Sequence, residues 1–229
     1  MIDTVIFDLD GTLLNTLEDL KNSTNFALNE FGFPKRSLKE VRCFVGNGVR
    51  KLIERAVPKD CDKNTTEKCL EIFKKHYSEN MYNNTAPYNS IVQILSILKE
   101  NNLKIGVVSN KFDSAVKELC EKYFKNLVDA AIGQSDDVPK KPAPDGVFKA
   151  IKELGGKNCV YVGDSEVDVQ TAKNSNLPCI GVTWGFRAKK DLECADFIID
   201  NPYDIIDIIR SMSVSYTHLR AHETGAYLV

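Results

Sequence analysis

The spacing of apolar and polar positions divides the chain into an opening strand, a helical stretch and a long alternation of strands and helices. Val5-Ile6-Phe7 is a short apolar run ending in Asp8-Leu9-Asp10-Gly11-Thr12, the pattern of a buried strand breaking into a loop. The period then becomes helical. Leu17, Leu20, Thr24, Ala27, Leu28 and Phe31 mark one amphipathic face, which Gly32 and Pro34 stop. A second helix is predicted over Val49–Val57, after Gly46-Asn47-Gly48, and a third over Thr65–Met81. Ser90 and Gln93 form a capping-box pattern for a helix carrying Ile91, Ile94, Leu95 and Leu98.

Beyond residue 102 the pattern predicts strands at Leu103–Val108, Asp129–Ile132, Cys159–Val162, Cys179–Val182 and Phe197–Ile199. Helices are predicted between them at Asp113–Phe124, Gly146–Leu154 and Val167–Asn174, and Asn201-Pro202 predicts the cap and first position of a last helix. Strands alternating with helices of this length imply an α/β fold, a doubly wound parallel (Rossmann-like) sheet covered on both faces. The helical stretch interrupts that alternation after the first strand, as an inserted small all-helical domain would. The expected division is a core of residues 1–15 and 86–212 and an insertion of 16–85. From Met212 onward the chain breaks register with everything before it. Val214-Ser215-Tyr216-Thr217-His218-Leu219-Arg220-Ala221-His222-Glu223-Thr224 resembles one translated frame of a sequencing adapter, so 213–229 is read as a non-native tail and left out of fold and site reasoning.

Composition narrows the classes. Of 229 residues, 43% are hydrophobic and 27% charged, which excludes a disordered or fibrous chain and leaves ample apolar material for a core. Thirty Lys and Arg against 32 Asp and Glu give a net charge of −2 and no basic face, so no nucleic-acid partner is expected. The longest apolar runs fall far short of the ~18 residues of a membrane helix, and the first residues read as no signal segment, so no membrane partner is expected. Seven scattered cysteines with no CxxC pair read as reduced thiols of a cytoplasmic protein, not as a disulfide framework or zinc site. Histidine is scarce. His76 shares helical spacing with Cys69, Ile72 and Phe73 and is expected as a packed helix residue; His218 and His222 lie in the tail, without the Glu of an H-E-x-x-H pattern. A Ser/His/Asp or Cys/His site therefore has little to build from, and carboxylates, lysine and metal must carry any chemistry.

The strongest chemical signal is Asp8-Leu9-Asp10-Gly11-Thr12 at the end of a buried strand. Two carboxylates two residues apart repel each other when both are ionised, and a hard divalent ion such as Mg²⁺ resolves that repulsion. A solvated Asp-Gly turn would explain Asp10-Gly11 but not Asp8. Three further polar sites fall where strands end. Ser109-Asn110-Lys111 offers a hydroxyl and backbone amides at a helix N-terminus, an anion site or an ordinary N-cap. In Lys140-Lys141-Pro142-Ala143-Pro144 the prolines stiffen the backbone around Lys141, giving a fixed positive charge or a solvated loop lysine. Gly163-Asp164-Ser165-Glu166-Val167-Asp168 offers Asp164 as a metal ligand and Asp168 one helical turn on, although acids at a helix start also suit its dipole. Ligands of open parallel sheets bind at strand carboxyl ends. Together these residues supply a nucleophile, a proton carrier, anion donors, a cation and metal ligands, the parts of a Mg²⁺-dependent phosphoryl transferase. No G-x-G-x-x-G or P-loop motif supports a nucleotide fold.

Asp8–Thr12, Ser109, Lys141-Pro142 and Gly163-Asp164 with Asp168 resemble, in order and spacing, the four motifs of the haloacid dehalogenase-like hydrolase superfamily. Phe44-Val45-Gly46-Asn47-Gly48-Val49 and Gly181-Val182-Thr183-Trp184-Gly185-Phe186-Arg187 are similar to its phosphoglycolate phosphatase group. The resemblance implies that the helical insertion is a cap, that Asp8 attacks phosphorus to form an aspartyl-phosphate, and that Asp10 first protonates the leaving alcohol and then deprotonates water. It further implies Mg²⁺ on Asp8, the Asp10 backbone carbonyl and Asp164, phosphoryl oxygens on Ser109, Asn110 and Lys141, and Asp168 orienting Lys141 or the metal shell. Gly46, Asn47 and Gly48 of the cap loop would select the substrate, a small phosphorylated metabolite, in a monomer or homodimer. Asn89-Ser90 departs from the Pro-Gly frequent in that group. A sugar phosphomutase or pyrophosphatase of the same fold is the nearest alternative. A receiver-type signalling domain has no room for the insertion, and a non-enzymatic relative would be expected to have lost one of the four sites.

Overall fold

The computed structural model of the chain describes residues 1–212; the adapter-like tail expected over 213–229 lies outside the described residues. Strand β1 (Thr4–Phe7) is followed by a two-residue strand β2 (Leu14–Asn15) and four helices, α1 (Leu17–Asn29), α2 (Leu38–Phe44), α3 (Val49–Ala56) and α4 (Lys63–Asn80). The chain returns through β3 (Ala86–Pro87) and then alternates. The order is α5 (Ile91–Glu100), β4 (Lys104–Phe112), α6 (Asp113–Phe124), β5 (Ala130–Gln134), α7 (Asp145–Leu154), β6 (Cys159–Gly163), α8 (Glu166–Asn174), β7 (Cys179–Val182) and β8 (Phe197–Ile199), with a last helix over 204–212.

The main sheet has the order β5-β4-β1-β6-β7-β8, every pairing parallel. β1 is buried at all four positions, and after Thr4 its sequence is continuously apolar instead of alternating. Its side chains still point to opposite faces: Val5 and Phe7 join the apolar cluster that runs on into the helical block, Ile6 the one beneath α7 and α8. The chain leaves β1 outward through β4 and β5, then crosses back to β6 on the other side. That reversal puts the end of β1 at the switch point, where open sheets of this kind form their binding crevice.

Three details differ from expectation. Helix α2 was not predicted, yet it carries the capping box expected elsewhere: Ser37 Oγ accepts the Glu40 amide, and Glu40 accepts the Ser37 amide at 2.8 Å. Ser90 makes no such cap. The turn that returns the chain from the helical block, closed by the Ile91 amide on the Tyr88 carbonyl (3.2 Å), holds Ser90 left-handed at φ 66°, whereas an N-cap needs extended backbone. Pro202 lies in a turn ahead of the last helix and not at its first helical position, with Asn201 Oδ1 accepting the Tyr203 amide at 3.1 Å. The two crossings into and out of the helical block are tied together. β2 pairs antiparallel with β3, and buried Asp19 accepts hydrogen bonds from the backbone and side chains of both Asn84 and Thr85.

Candidate active site

Asp8 is the first residue beyond β1, and its amide still donates to the Val162 carbonyl of β6 (2.9 Å), so the sheet fixes its backbone. The chain then turns sharply, with Leu13 and Leu14 amides both on the Leu9 carbonyl. Gly11 makes the turn possible: its φ is +97°, and a Cβ there would lie 2.4 Å from an Asp164 oxygen.

Lys141 stands at the centre of the site. Its Nζ donates to Asp8 Oδ1 (2.6 Å), Asp168 Oδ1 (2.7 Å) and the Tyr161 hydroxyl (3.0 Å), one acceptor for each ammonium proton. The Asn110 carboxamide grips the Lys141 backbone on both sides, accepting its amide (2.7 Å) and donating to its carbonyl (3.1 Å). Asp168 is fixed in turn by the start of α8, where its Oδ2 accepts the Ser165 amide and hydroxyl. Burial opposes the charge on Lys141, yet Asp168 and Asp8 hold its pKa well above the ordinary lysine value. Burial pushes the Asp8 carboxyl well above the usual carboxylate range; Lys141 opposes this, and Asp168 and Asp164 reinforce it.

Asp164 is hydrogen-bonded to no lysine among the described residues, and the nearby Arg187 and Lys141 charges offset its burial only in part. Its Oδ2 accepts the Phe186 amide (2.6 Å), and a Cβ on Gly185 would fall 2.3 Å from that oxygen. Burial first, and the Asp168 charge second, push its carboxyl up to about 7. Asp10 faces elsewhere, accepting from Thr16 Oγ1 (2.6 Å) and from Lys111 Nζ at 3.0 Å on both oxygens. The repulsion expected between Asp8 and Asp10 is thus met by a separate buried lysine for each. The carboxylates crowded together are Asp8, Asp164 and Asp168, all buried, with ligand atoms within 4.8 Å of one another. Lys141 is shared between Asp8 and Asp168, and Asp168 is further satisfied by Tyr161 and Ser165, so one ammonium serves three buried carboxylates and Asp8 and Asp164 remain short of positive charge. A buried pair of oxygen donors held short of cations suits a hard divalent ion.

Ser109 lies inside β4 and not at a helix N-terminus, because the strand continues through an irregularity between Val108 and Phe112 and α6 starts only at Asp113. Its hydroxyl accepts the Lys111 amide (3.2 Å) and lines the cleft. Gly46 and Gly48 also line it, from the opposite wall. Asn47 does not join them: its Oδ1 accepts from Arg55 (2.8 Å), which turns the carboxamide back into the helical block. The apolar part of that wall is Leu20, Val45, Val49 and Leu52. Lys111, Tyr161 and Arg187 were not singled out as site residues from the sequence. Lys111 stood in the Ser109-Asn110-Lys111 string; Tyr161 looked like one more apolar strand position. His76 packs as expected, stacked on Phe26 with Nδ1 3.0 Å from Ser23 Oγ.

Comparison with known proteins gives a consistent picture. Residues 5–182 match the family model described as haloacid dehalogenase-like hydrolase. The chain is 30% identical over 215 residues to a phosphoglycolate phosphatase of Aquifex aeolicus, covering 93% of this chain and 99% of that protein. It is 30% identical over 217 residues to phosphoglycolate phosphatase 1 of Pseudomonas aeruginosa, covering 88% and 78%. A crystal structure from Lactobacillus delbrueckii subsp. bulgaricus, named as a candidate phosphoglycolate phosphatase, superposes with a TM-score of 0.87 at 32% identity over 91% of this chain and 99% of the other.

Proposed function

The chain belongs to the haloacid dehalogenase-like hydrolase family and is a phosphatase of phosphoric monoesters, and from that premise we propose that it hydrolyses small esters of the phosphoglycolate kind through an aspartyl-phosphate on Asp8. The observation that carries this reading is the separation of the two carboxylates of Asp8-Leu9-Asp10. Asp8 is held inside the acidic cluster by Lys141, while Asp10 is held outside it by Thr16 and Lys111. Two carboxylates in two environments can take two roles.

Asp8, the backbone carbonyl of Asp10 and Asp164 would hold Mg²⁺, which supplies positive charge to phosphoryl oxygens during transfer. Ser109 and Lys141 bind those oxygens, and Asn110 acts by fixing the Lys141 backbone and by its own amide. Asp8 attacks phosphorus; the P–O bond to the alcohol breaks, and Asp10 gives that oxygen its proton. Asp10 then takes a proton from water, whose oxygen attacks phosphorus and releases Asp8 and inorganic phosphate. Asp168 and Tyr161 keep the Lys141 ammonium aimed at Asp8 throughout. The helical block closes over the ester, and Leu20, Val45, Gly46, Gly48, Val49 and Leu52 leave room for a small leaving group. With all seven cysteines unpaired, the reading places the enzyme in the reducing cytoplasm.

A panel of phosphate monoesters, assayed with Mg²⁺ and with EDTA, tests this reading. Turnover of small esters that is lost in EDTA and in Asp8→Asn supports it. Full activity in either condition contradicts it.

A further inference from the structure

The loop that follows β7 touches both halves of the molecule. The Trp184 indole donates to the Thr12 carbonyl beside the turn after Asp8 (3.1 Å), and the Phe186 amide holds Asp164. One residue on, Arg187 reaches the other way. Its Nη1 donates to the Arg42 carbonyl (3.0 Å) and its Nη2 to the Val45 carbonyl (2.7 Å), both at the C-terminal end of α2. Its Nε pairs with Glu166 (3.1 Å), and Arg42 returns a bond to the Gly185 carbonyl (3.3 Å).

The chemistry of this contact is specific. The last carbonyls of a helix lack intrahelical partners and carry the negative end of its dipole, so a guanidinium there satisfies both. A forked, planar cation can span two carbonyls while its Nε keeps a carboxylate; an ammonium cannot. The turn that follows α2 is shaped to the same contact. Gly46 has φ +107°, and a Cβ on it would come 2.9 Å from Arg187 Nη2. Asn110, which grips Lys141, also donates to the Gly46 carbonyl (3.1 Å). Arg187 is only 14% exposed despite sitting at the mouth of the cleft, which it helps to line.

We propose that Arg187 is a positioning residue that latches α2 and the Val45–Gly48 turn onto the loop holding Asp164, and so sets the closed geometry of the cleft. The proposal rests on the phosphatase reading for its kinetic consequence, but the latch itself does not. On that reading the ester binds in the cleft between the helical block and the sheet, so weakening the latch lowers the population competent to bind, and the loss falls on KM. A coupling free energy between two sites typically changes affinity 5- to 150-fold.

Hydrogen exchange over residues 41–52 of the metal-free protein, read beside steady-state kinetics, tests it. In Arg187→Gln, exchange over that segment is expected to be about tenfold faster, and KM for phosphoglycolate about tenfold higher with kcat within about twofold. Arg187→Lys should recover part of both effects. Arg42→Ala removes only the return bond from an exposed side chain, is expected to show a milder KM effect, and serves if Arg187→Gln does not fold. Unchanged exchange in a folded Arg187→Gln overturns the latch. Faster exchange with KM unchanged overturns the positioning role, as does a fall in kcat that tracks loss of thermal stability. A wild-type protein that hydrolyses no ester sinks the phosphatase reading instead, and the exchange result alone then decides for or against the latch.

Discussion

Asp8 and Asp10 differ in what surrounds them, and that difference fixes what each can do. Asp10→Asn keeps Oδ1 for Thr16 and Lys111 and loses only the second contact to Lys111. General acid catalysis is typically worth ~10²–10⁴-fold, and the gain is largest where the leaving group is a poor one. In rapid-quench experiments Asp10→Asn should therefore release p-nitrophenolate in a single-turnover burst but show none with phosphoglycolate. Equal slowing on both substrates would leave Asp10 a structural role only. The acidic cluster makes a second expectation. Asp164 has a carboxyl pKa of about 7 in the folded chain against 3.8 when unfolded, and Asp8 is shifted the same way. Between those values the native state keeps a proton that the unfolded chain has released; above about pH 5, where carboxylates held below their ordinary values such as Asp3 and Asp113 are ionised in both states, stability without metal should fall as pH rises to about 7. Urea midpoints measured in EDTA across that range check the sign. Mg²⁺, binding the ionised native form, should flatten the slope; a midpoint that rises with pH in EDTA would contradict the burial argument.

At the scale of elements, most of the sheet was legible because its strands are buried on both faces and read as unbroken apolar runs, β1 and β6 above all. Helix ends were harder, since one short pattern serves two outcomes. Ser-x-x-Glu at Ser37 is a working cap; Ser-x-x-Gln at Ser90 is not, because a tertiary turn forces Ser90 left-handed. Ser37→Ala should accordingly cost about 1 kcal/mol. Ser90→Gly should cost nothing or stabilise slightly, as glycine accepts that conformation without strain. Urea denaturation of both variants decides; equal losses would mean that the two serines cap alike. The extent of β4 was also hidden. Nothing local says that the strand carries Ser109, Asn110 and Lys111 before α6 begins, and it is this extension that brings Lys111 to Asp10 and Asn110 to Lys141.

Across the whole molecule, the reversal of strand order at β1 gathers Asp8, Asp164 and, through Asn110, Lys141 at one end of the sheet, and the helical block supplies the facing wall. Asp8 and Asp164 were visible in the sequence because each sits just beyond the end of a buried strand, whereas Ser109 lies inside β4 and Lys141 in the loop past β5, where only the motif resemblance marks them. The roles of Arg187 and Tyr161 were not visible, since they exist only through contacts with Val45 and with Lys141 that no local pattern shows. The proposed chemistry requires a phosphoryl group resting covalently on Asp8. Asp10→Asn, mixed with p-nitrophenyl phosphate and Mg²⁺, quenched in acid and examined by intact-mass and peptide mass spectrometry, should carry one phosphoryl group on Asp8. The same treatment should leave the Asp8→Asn, Asp10→Asn double variant unmodified. A burst of nitrophenol with no adduct, or an adduct on any other residue, would contradict it.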